Sequence, residues 1–70
     1  MENTALYVNY YLELVEAGFT HETALLSTVE FMNDQLPGFG HTDWQVRLML
    51  KAVERVCKRI DRLLHPAEEV

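Results

Sequence analysis

Three histidines and one cysteine are the residues of this 70-residue chain that most often hold metal ions or take part in acid/base catalysis. His21, His41 and His65 are widely separated, and no two of them have the short spacing that presents two ligands to one metal ion. Cys57 falls among apolar residues, where a small inert thiol is the common occupant. The sequence therefore predicts no metal site and no cofactor.

The segment His41-Thr42-Asp43 resembles a fragment of an acid/base site, but helix chemistry explains it as well. Thr42 with Gln45 three residues later fits a capping box, and Asp43 in a first helical turn is favoured by the helix dipole. The chain has no glycine-rich phosphate loop and no nucleophile elbow. A bundle this small also has little room for a pocket of about 300 Å³ or more, so we expect no enzyme activity.

A row of basic residues is the most regular charged pattern in the chain. Its members recur at spacings of 4, 4, 3 and 4, which places them along one face of a helix over about 22 Å. Such a face can follow an acidic protein surface or a phosphate backbone, but it is also typical of a helix side that faces solvent. No set of base-reading side chains accompanies it. This basic row consists of Arg47, Lys51, Arg55, Lys58 and Arg62, with Arg59 beside it.

Acidic residues dominate the rest of the chain, since residues 1–46 contain seven of them and no lysine or arginine. A negative face on the first two helices can imitate nucleic acid, as in phage-type inhibitors of nucleic-acid-binding proteins, or can simply keep the protein soluble. Opposite charges on different helices also permit pairing between copies. The acids of that face are Glu13, Glu16, Glu22, Glu30 and Asp34.

Glycine and proline divide the chain at Gly18, at Pro37–Gly40 and at Pro66. The stretches between them are rich in helix formers and predict helices at about 4–17, 21–35 and 43–64. Asn3 or Thr4, then Thr20 and Thr42, are the predicted N-caps. We therefore predict an all-α fold, a small three-helix bundle in which residues 1–70 form one domain.

Apolar residues on the second and third predicted helices lie on one side each. On the second helix Leu25, Val29, Met32 and Leu36 form a narrow seam. Phe39 and Trp44 flank the connecting loop, where we expect them to close the end of the core; the alternative is that they are exposed anchors for a partner. The apolar side of the third helix carries Val46, Met49, Leu50, Ala52, Val53, Val56, Cys57, Ile60, Leu63 and Leu64.

The first helix is apolar around most of its circumference, because only Asn9, Glu13 and Glu16 form a polar stripe. Two neighbours in a three-helix bundle cover only about half of a helix, so we expect a second copy of the chain to complete the bundle. A central position of the helix within the monomer, or a different protein, are the alternatives. The residues predicted for this contact are Tyr7, Val8, Tyr11, Leu12 and Val15.

Charge, cysteine content and hydropathy indicate the cellular compartment in which the protein acts. A single cysteine excludes a disulfide within the chain and favours the cytoplasm, and no segment has the roughly 20 apolar residues of a membrane span. The sequence thus predicts a cytoplasmic homodimer that acts as a protein-binding adaptor, regulator or inhibitor through helical surfaces. A nucleic-acid-associated protein that uses the basic row is the alternative hypothesis.

Overall fold

A computed structural model describes the backbone of residues 3–66 and the side chains of residues 4–66. Within that range helix α1 spans Asn3–Glu16, α2 spans His21–Gln35 and α3 spans Asp43–Leu64, and Pro37–Phe39 forms a 3-10 turn. The predicted all-α three-helix bundle is confirmed, and the bounds of the second and third helices match the prediction. The first helix begins and ends one residue earlier than predicted. Residues 1–2 and 67–70 of the predicted domain lie outside the described residues.

The starts of α2 and α3 are capped as their sequences predict. The Thr20 hydroxyl accepts a hydrogen bond from the backbone N–H of Thr23 at 3.2 Å. At α3 the Thr42 hydroxyl accepts from the N–H of Gln45 at 3.2 Å, and the Gln45 amide oxygen accepts from the N–H of Thr42 at 2.9 Å. This reciprocal capping box satisfies two amides that a helix start otherwise leaves without partners.

Two glycines in the left-handed region end the segments before the second and third helices. Gly18 has φ 108°, and the N–H of Phe19 reaches back to the carbonyl of Leu14 at 3.1 Å. Gly40 has φ 93°, and the N–H of His41 reaches the carbonyl of Leu36 at 3.3 Å. Both are Schellman motifs, in which a residue without a Cβ allows the chain to reverse.

Two tyrosines of α1 occupy the centre of the bundle. Tyr7 and Tyr11 expose none of their surface, and the Tyr7 ring meets Phe31 of α2 edge-on at 5.5 Å between centroids. Tyr10 stacks on the same Phe31 ring at 4.6 Å, so α1 and α2 are joined by three aromatic rings. The other fully or almost fully buried apolar side chains are Ala24, Met32, Leu36, Val46, Val53 and Cys57.

The two central hydroxyl groups differ in their partners. The hydroxyl of Tyr11 lies 2.6 Å from Nδ1 of His21, the first residue of α2. The hydroxyl of Tyr7 is buried without a hydrogen-bond partner among the described residues. Burial raises the pKa of Tyr7 above its ordinary value of 10.0. The hydroxyl of Tyr11 therefore stabilises the bundle. The buried hydroxyl of Tyr7 lowers the stability, and the packing of the Tyr7 ring offsets this loss.

The buried row of α2 includes a threonine that the predicted seam omits. Ala24, Thr28 and Met32 are buried in an i,i+4 row, and the Thr28 hydroxyl donates to the carbonyl of Ala24 at 2.8 Å. That bond satisfies the hydroxyl within its own helix and allows burial. The buried face is therefore turned relative to the predicted seam, and Leu25 and Val29 lie half-buried at its edge.

The relative positions of the helices follow from the surface depressions that two helices line together. Val15 at the end of α1 and Leu64 at the end of α3 line one depression, so α1 and α3 run in the same direction. Leu25 of α2 lines a groove with Lys51 and Lys58 of α3, so α2 lies on the side of α3 that carries the basic row. Since α1 also packs against α3, it lies on the opposite side of the buried face.

Removing one hydroxyl from each central tyrosine should change stability in opposite directions. Tyr7→Phe deletes a buried group without a partner and should leave the free energy of unfolding unchanged or raise it by about 1 kcal/mol. Tyr11→Phe deletes the bond to His21 and should lower it by about 1 to 2 kcal/mol. Urea unfolding followed by circular dichroism measures both variants. Equal losses of stability in the two would contradict the assigned hydroxyl environments.

Candidate functional site

Of the residues considered for catalysis or metal binding, His21 and His65 line one depression, which Glu22 and Asp61 also line, whereas His41 and Cys57 lie elsewhere. Among the residues that the structure describes, no group of three or more His, Cys, Asp or Glu side chains is arranged to hold a metal ion. His21 is held between Tyr11 and Asp61, whose carboxylate oxygen lies 4.0 Å from Nδ1. This imidazole links all three helices. Thr42 and Asp43 start α3, as the capping interpretation predicts.

Cys57 lies in the core, as its position on the predicted apolar side of the third helix indicates. Its thiol is free and fully buried. Burial, and then the charge of Glu54, raise the pKa of Cys57 from 9.0 to about 11. A buried thiol that stays protonated is a poor nucleophile and a poor metal ligand. Its role is therefore to fill space beside Tyr11.

The residues predicted for self-association on α1 are used mainly inside the chain. Tyr7 and Tyr11 expose no surface, so neither can contact a second copy in this fold. Val8, Leu12 and Val15 are half-buried against the core. Of the three coverings considered for α1, packing within the monomer accounts for Tyr7 and Tyr11, and self-association through this helix stays a prediction. Leu6, at 54% exposure, is the large apolar side chain that α1 leaves exposed.

The exposed apolar surface is instead concentrated on α3. Four residues predicted to lie on the apolar side of α3, namely Ala52, Val56, Leu63 and Leu64, are exposed. The reason is geometric: Val46, Val53 and Cys57 define the buried face, and α1 and α2 do not extend around the arc beyond it. We call the exposed row on this arc the apolar strip; it comprises Trp44, Leu48, Ala52, Val56 and Leu63.

The expectation that Phe39 and Trp44 close the end of the core is wrong. Trp44 is 66% exposed and Phe39 is 60% exposed. Trp44 precedes the buried Val46 by two residues, which is about 200° around a helix, so its side chain points away from the core. Phe39 belongs to the exposed 3-10 turn. The alternative considered for these two aromatics, an exposed anchor for a partner, is the one that fits their exposure.

All five members of the basic row, and Arg59 beside it, are exposed on α3. Three of them, Lys51, Arg55 and Lys58, line a groove between α2 and α3 with a volume of about 540 Å³, so the expectation of little room for a pocket of this size is wrong. Leu25 provides an apolar side of the groove, and Glu54 and His21 complete its lining. We call this feature the cationic groove. Arg47 lies outside it, beside Asn33 and Pro37 at the other end of α2.

The acidic face has a simpler arrangement. Its five carboxylates lie on two helices and are all exposed. The residues next to them in the sequence are mostly polar or half-buried. Every lysine and arginine is on α3, which also carries Asp43, Glu54 and Asp61, whereas the acidic face lies on α1 and α2. The members of the acidic face are Glu13 and Glu16 on α1, and Glu22, Glu30 and Asp34 on α2.

Comparisons with protein-family models, with curated proteins and with solved structures find no match to this chain. None of the helices in the described range is long and apolar enough to cross a membrane. Functional inference therefore depends on the two surfaces of α3, the apolar strip and the cationic groove.

Alkaline pH should destabilise the fold through Tyr11 and Cys57. The pKa of Tyr11 is raised from 10.0 to about 12, first by burial and then by the charges of Asp61 and Cys57, while that of Cys57 is raised to about 11. The unfolded chain releases these protons at the ordinary pKa values, whereas the folded chain releases them at the raised values. Between the ordinary and the raised pKa of each group the folded chain therefore binds more protons. Stability should therefore fall as pH rises from about 9 to about 12.

Urea unfolding at a series of pH values measures this decline. The variant Cys57→Ala removes the thiol, so its decline should begin about one pH unit higher than in the wild type. A free energy of unfolding that stays constant up to pH 11 would contradict the burial of both groups.

Proposed function

We propose that this chain is a small protein-binding adaptor, regulator or inhibitor that acts without catalysis and binds an acidic segment of another protein in the cationic groove. The observation that carries the proposal is the convergence of Lys51, Arg55 and Lys58 on one concave surface beside Leu25. A groove with cationic residues and an apolar side suits a segment that presents carboxylates next to an apolar residue. The lone free thiol favours action in the cytoplasm.

Electrostatics alone do not separate a protein partner from a nucleic acid, because both supply negative charge. A phosphate backbone would follow the whole basic row from Arg47 to Arg62 and would gain nothing from Leu25. An acidic segment in the groove would depend on the three lining cations and on Leu25. The apolar contribution and the concave shape favour a protein, and nucleic acid is the alternative that the experiment must exclude.

An imitation of nucleic acid by the acidic face is less favoured. The five exposed carboxylates are divided between two helices, and they are few for a surface that has to replace a phosphate backbone. The basic row, by contrast, gathers every lysine and arginine of the chain on one helix. We therefore place recognition on α3.

The groove can be tested with amide chemical shifts of the labelled 8.2 kDa protein. The probes are a synthetic peptide of glutamate and leucine residues, a peptide in which lysine replaces glutamate, and duplex DNA at the same ionic strength. The acidic peptide should shift the amides of Leu25, Lys51 and Lys58, and the basic peptide should not. Lys51→Glu and Lys58→Glu should each weaken binding by about three- to tenfold, because each replaces an attractive charge by a repulsive one.

Arg47→Glu is the matched control, since it makes the same charge change on the same helix outside the groove. It should weaken peptide binding by less than about twofold. If DNA binds with a steep salt dependence, and Arg47→Glu weakens binding as much as Lys51→Glu does, the nucleic-acid hypothesis replaces this one. Absence of shifts at the groove with the acidic peptide would refute the proposed function.

A further inference from the structure

We propose that a second copy of this chain covers the apolar strip, and that the resulting two-fold dimer has its two α3 helices running parallel. The strip begins at Trp44, on the side of α3 opposite the core, and turns toward α1 at Val56, whereas the cationic groove lies on the side that borders α2. Leu25 and Lys51 of the groove lie outside the strip, although Arg55 and Lys58 share a depression with Leu63. Failure of the dimer would leave the proposed binding of an acidic segment in the groove intact, and the reverse also holds.

The strip has the form of a helix-pairing surface. Trp44, Leu48 and Val56 are 66%, 50% and 44% exposed, and Leu63 is 74% exposed. Between Trp44 and Val56 the members recur every four residues, so they form one continuous ridge along the helix. Ala52 lies near the middle of the strip, where a small side chain lets two helices approach closely. Continuous exposed apolar ridges of this kind mark contact surfaces.

Charge favours a copy of the same chain as the occupant. The strip is bordered on one side by cations, among them Arg55 and Arg59, and on the other side by α1, which carries exposed acids and no base. A partner must therefore present an apolar ridge with acid on one side and base on the other. A second copy of this chain has that arrangement.

The same charges select the direction of pairing. When two identical helices face each other around a two-fold axis and run parallel, the left side of each lies against the right side of the other. The basic side of one α3 then lies against the α1 side of its partner. In an antiparallel pair like sides meet, and cations such as Arg55 and Arg59 would face their own copies. Parallel pairing therefore places opposite charges together.

One charge pair follows from the levels of the helices. The end of α1 and the end of α3 are at the same level, since Val15 and Leu64 line one depression. Glu16, the last residue of α1, is exposed next to that level, and Arg59 is exposed one turn before Leu63. Arg59 is five residues before Leu64, about 7.5 Å along the helix, which the long arginine side chain can span, so in the parallel dimer we expect Arg59 of each copy to reach Glu16 of the other.

Light scattering behind size exclusion, over about a hundredfold range of concentration, tests the dimer. The wild type should approach twice 8.2 kDa. Leu48→Asp puts a charge into the strip and should weaken association by about tenfold or more, while the monomer stays helical because Leu48 is half-exposed. Leu26→Asp is the matched control, since Leu26 is 59% exposed on α2, and it should leave the dimer unchanged.

Charge exchange tests the direction of pairing. Arg59→Glu and Glu16→Arg should each weaken the dimer, and the double variant should restore it. A wild type that stays monomeric at every concentration overturns the proposal and leaves the strip to a different protein. A dimer that Leu48→Asp does not affect overturns the assigned face. A dimer that depends on Leu48 but shows no rescue in the double variant overturns the parallel arrangement.

Discussion

Tyr7 and Tyr11 fill the space that the three helices enclose, and the rest of the bundle is arranged around them. Their rings are long enough to reach both neighbouring helices from α1: Tyr7 meets Phe31, and Tyr11 reaches His21 and lies beside Cys57 and Asp61. The core of a 70-residue chain contains few side chains, so two fully buried aromatic rings provide a large share of its apolar contact. The contacts of α1 with both neighbouring helices follow from this choice of residues.

The packing of α1 within the chain determines which helix remains incompletely covered. The tyrosines and the half-buried residues of α1 pack within the chain, so the uncovered apolar surface is on α3. This helix is the longest, with 22 residues against 14 in α1 and 15 in α2. Two shorter helices packed on one side of a longer one leave an arc of it open. The apolar strip is therefore a consequence of the length of α3 and of the width of its apolar face. An apolar pattern on α1 did not by itself reveal where uncovered surface would remain.

The local features were predictable because they depend on neighbouring residues. The Thr42 and Gln45 capping box, the Thr20 cap and the Gly18 reversal are all set within a few positions, and they place the helix boundaries. Burial depends on distant residues and was predicted less well. Thr28 is buried because its hydroxyl bonds to Ala24, and Trp44 is exposed because Val46 sets the inward face; the periodicity of each helix alone does not decide such rotations. The basic row was predictable, whereas its groove required the position of α2.

The segregation of charge on this small bundle affects its two surfaces differently. Every lysine and arginine is on α3, so the side that borders α2 is a groove that brings Lys51, Arg55 and Lys58 together with Glu54, and the acidic segment that we propose would pair with the three cations. The side that borders α1 has cations along only one edge of the apolar strip, with the carboxylates of α1 beyond the other edge. A ridge with opposite charges on its two edges is complementary to itself only in the parallel orientation. One helix can thus present two surfaces of different chemistry, because its neighbours α1 and α2 leave different parts of it exposed.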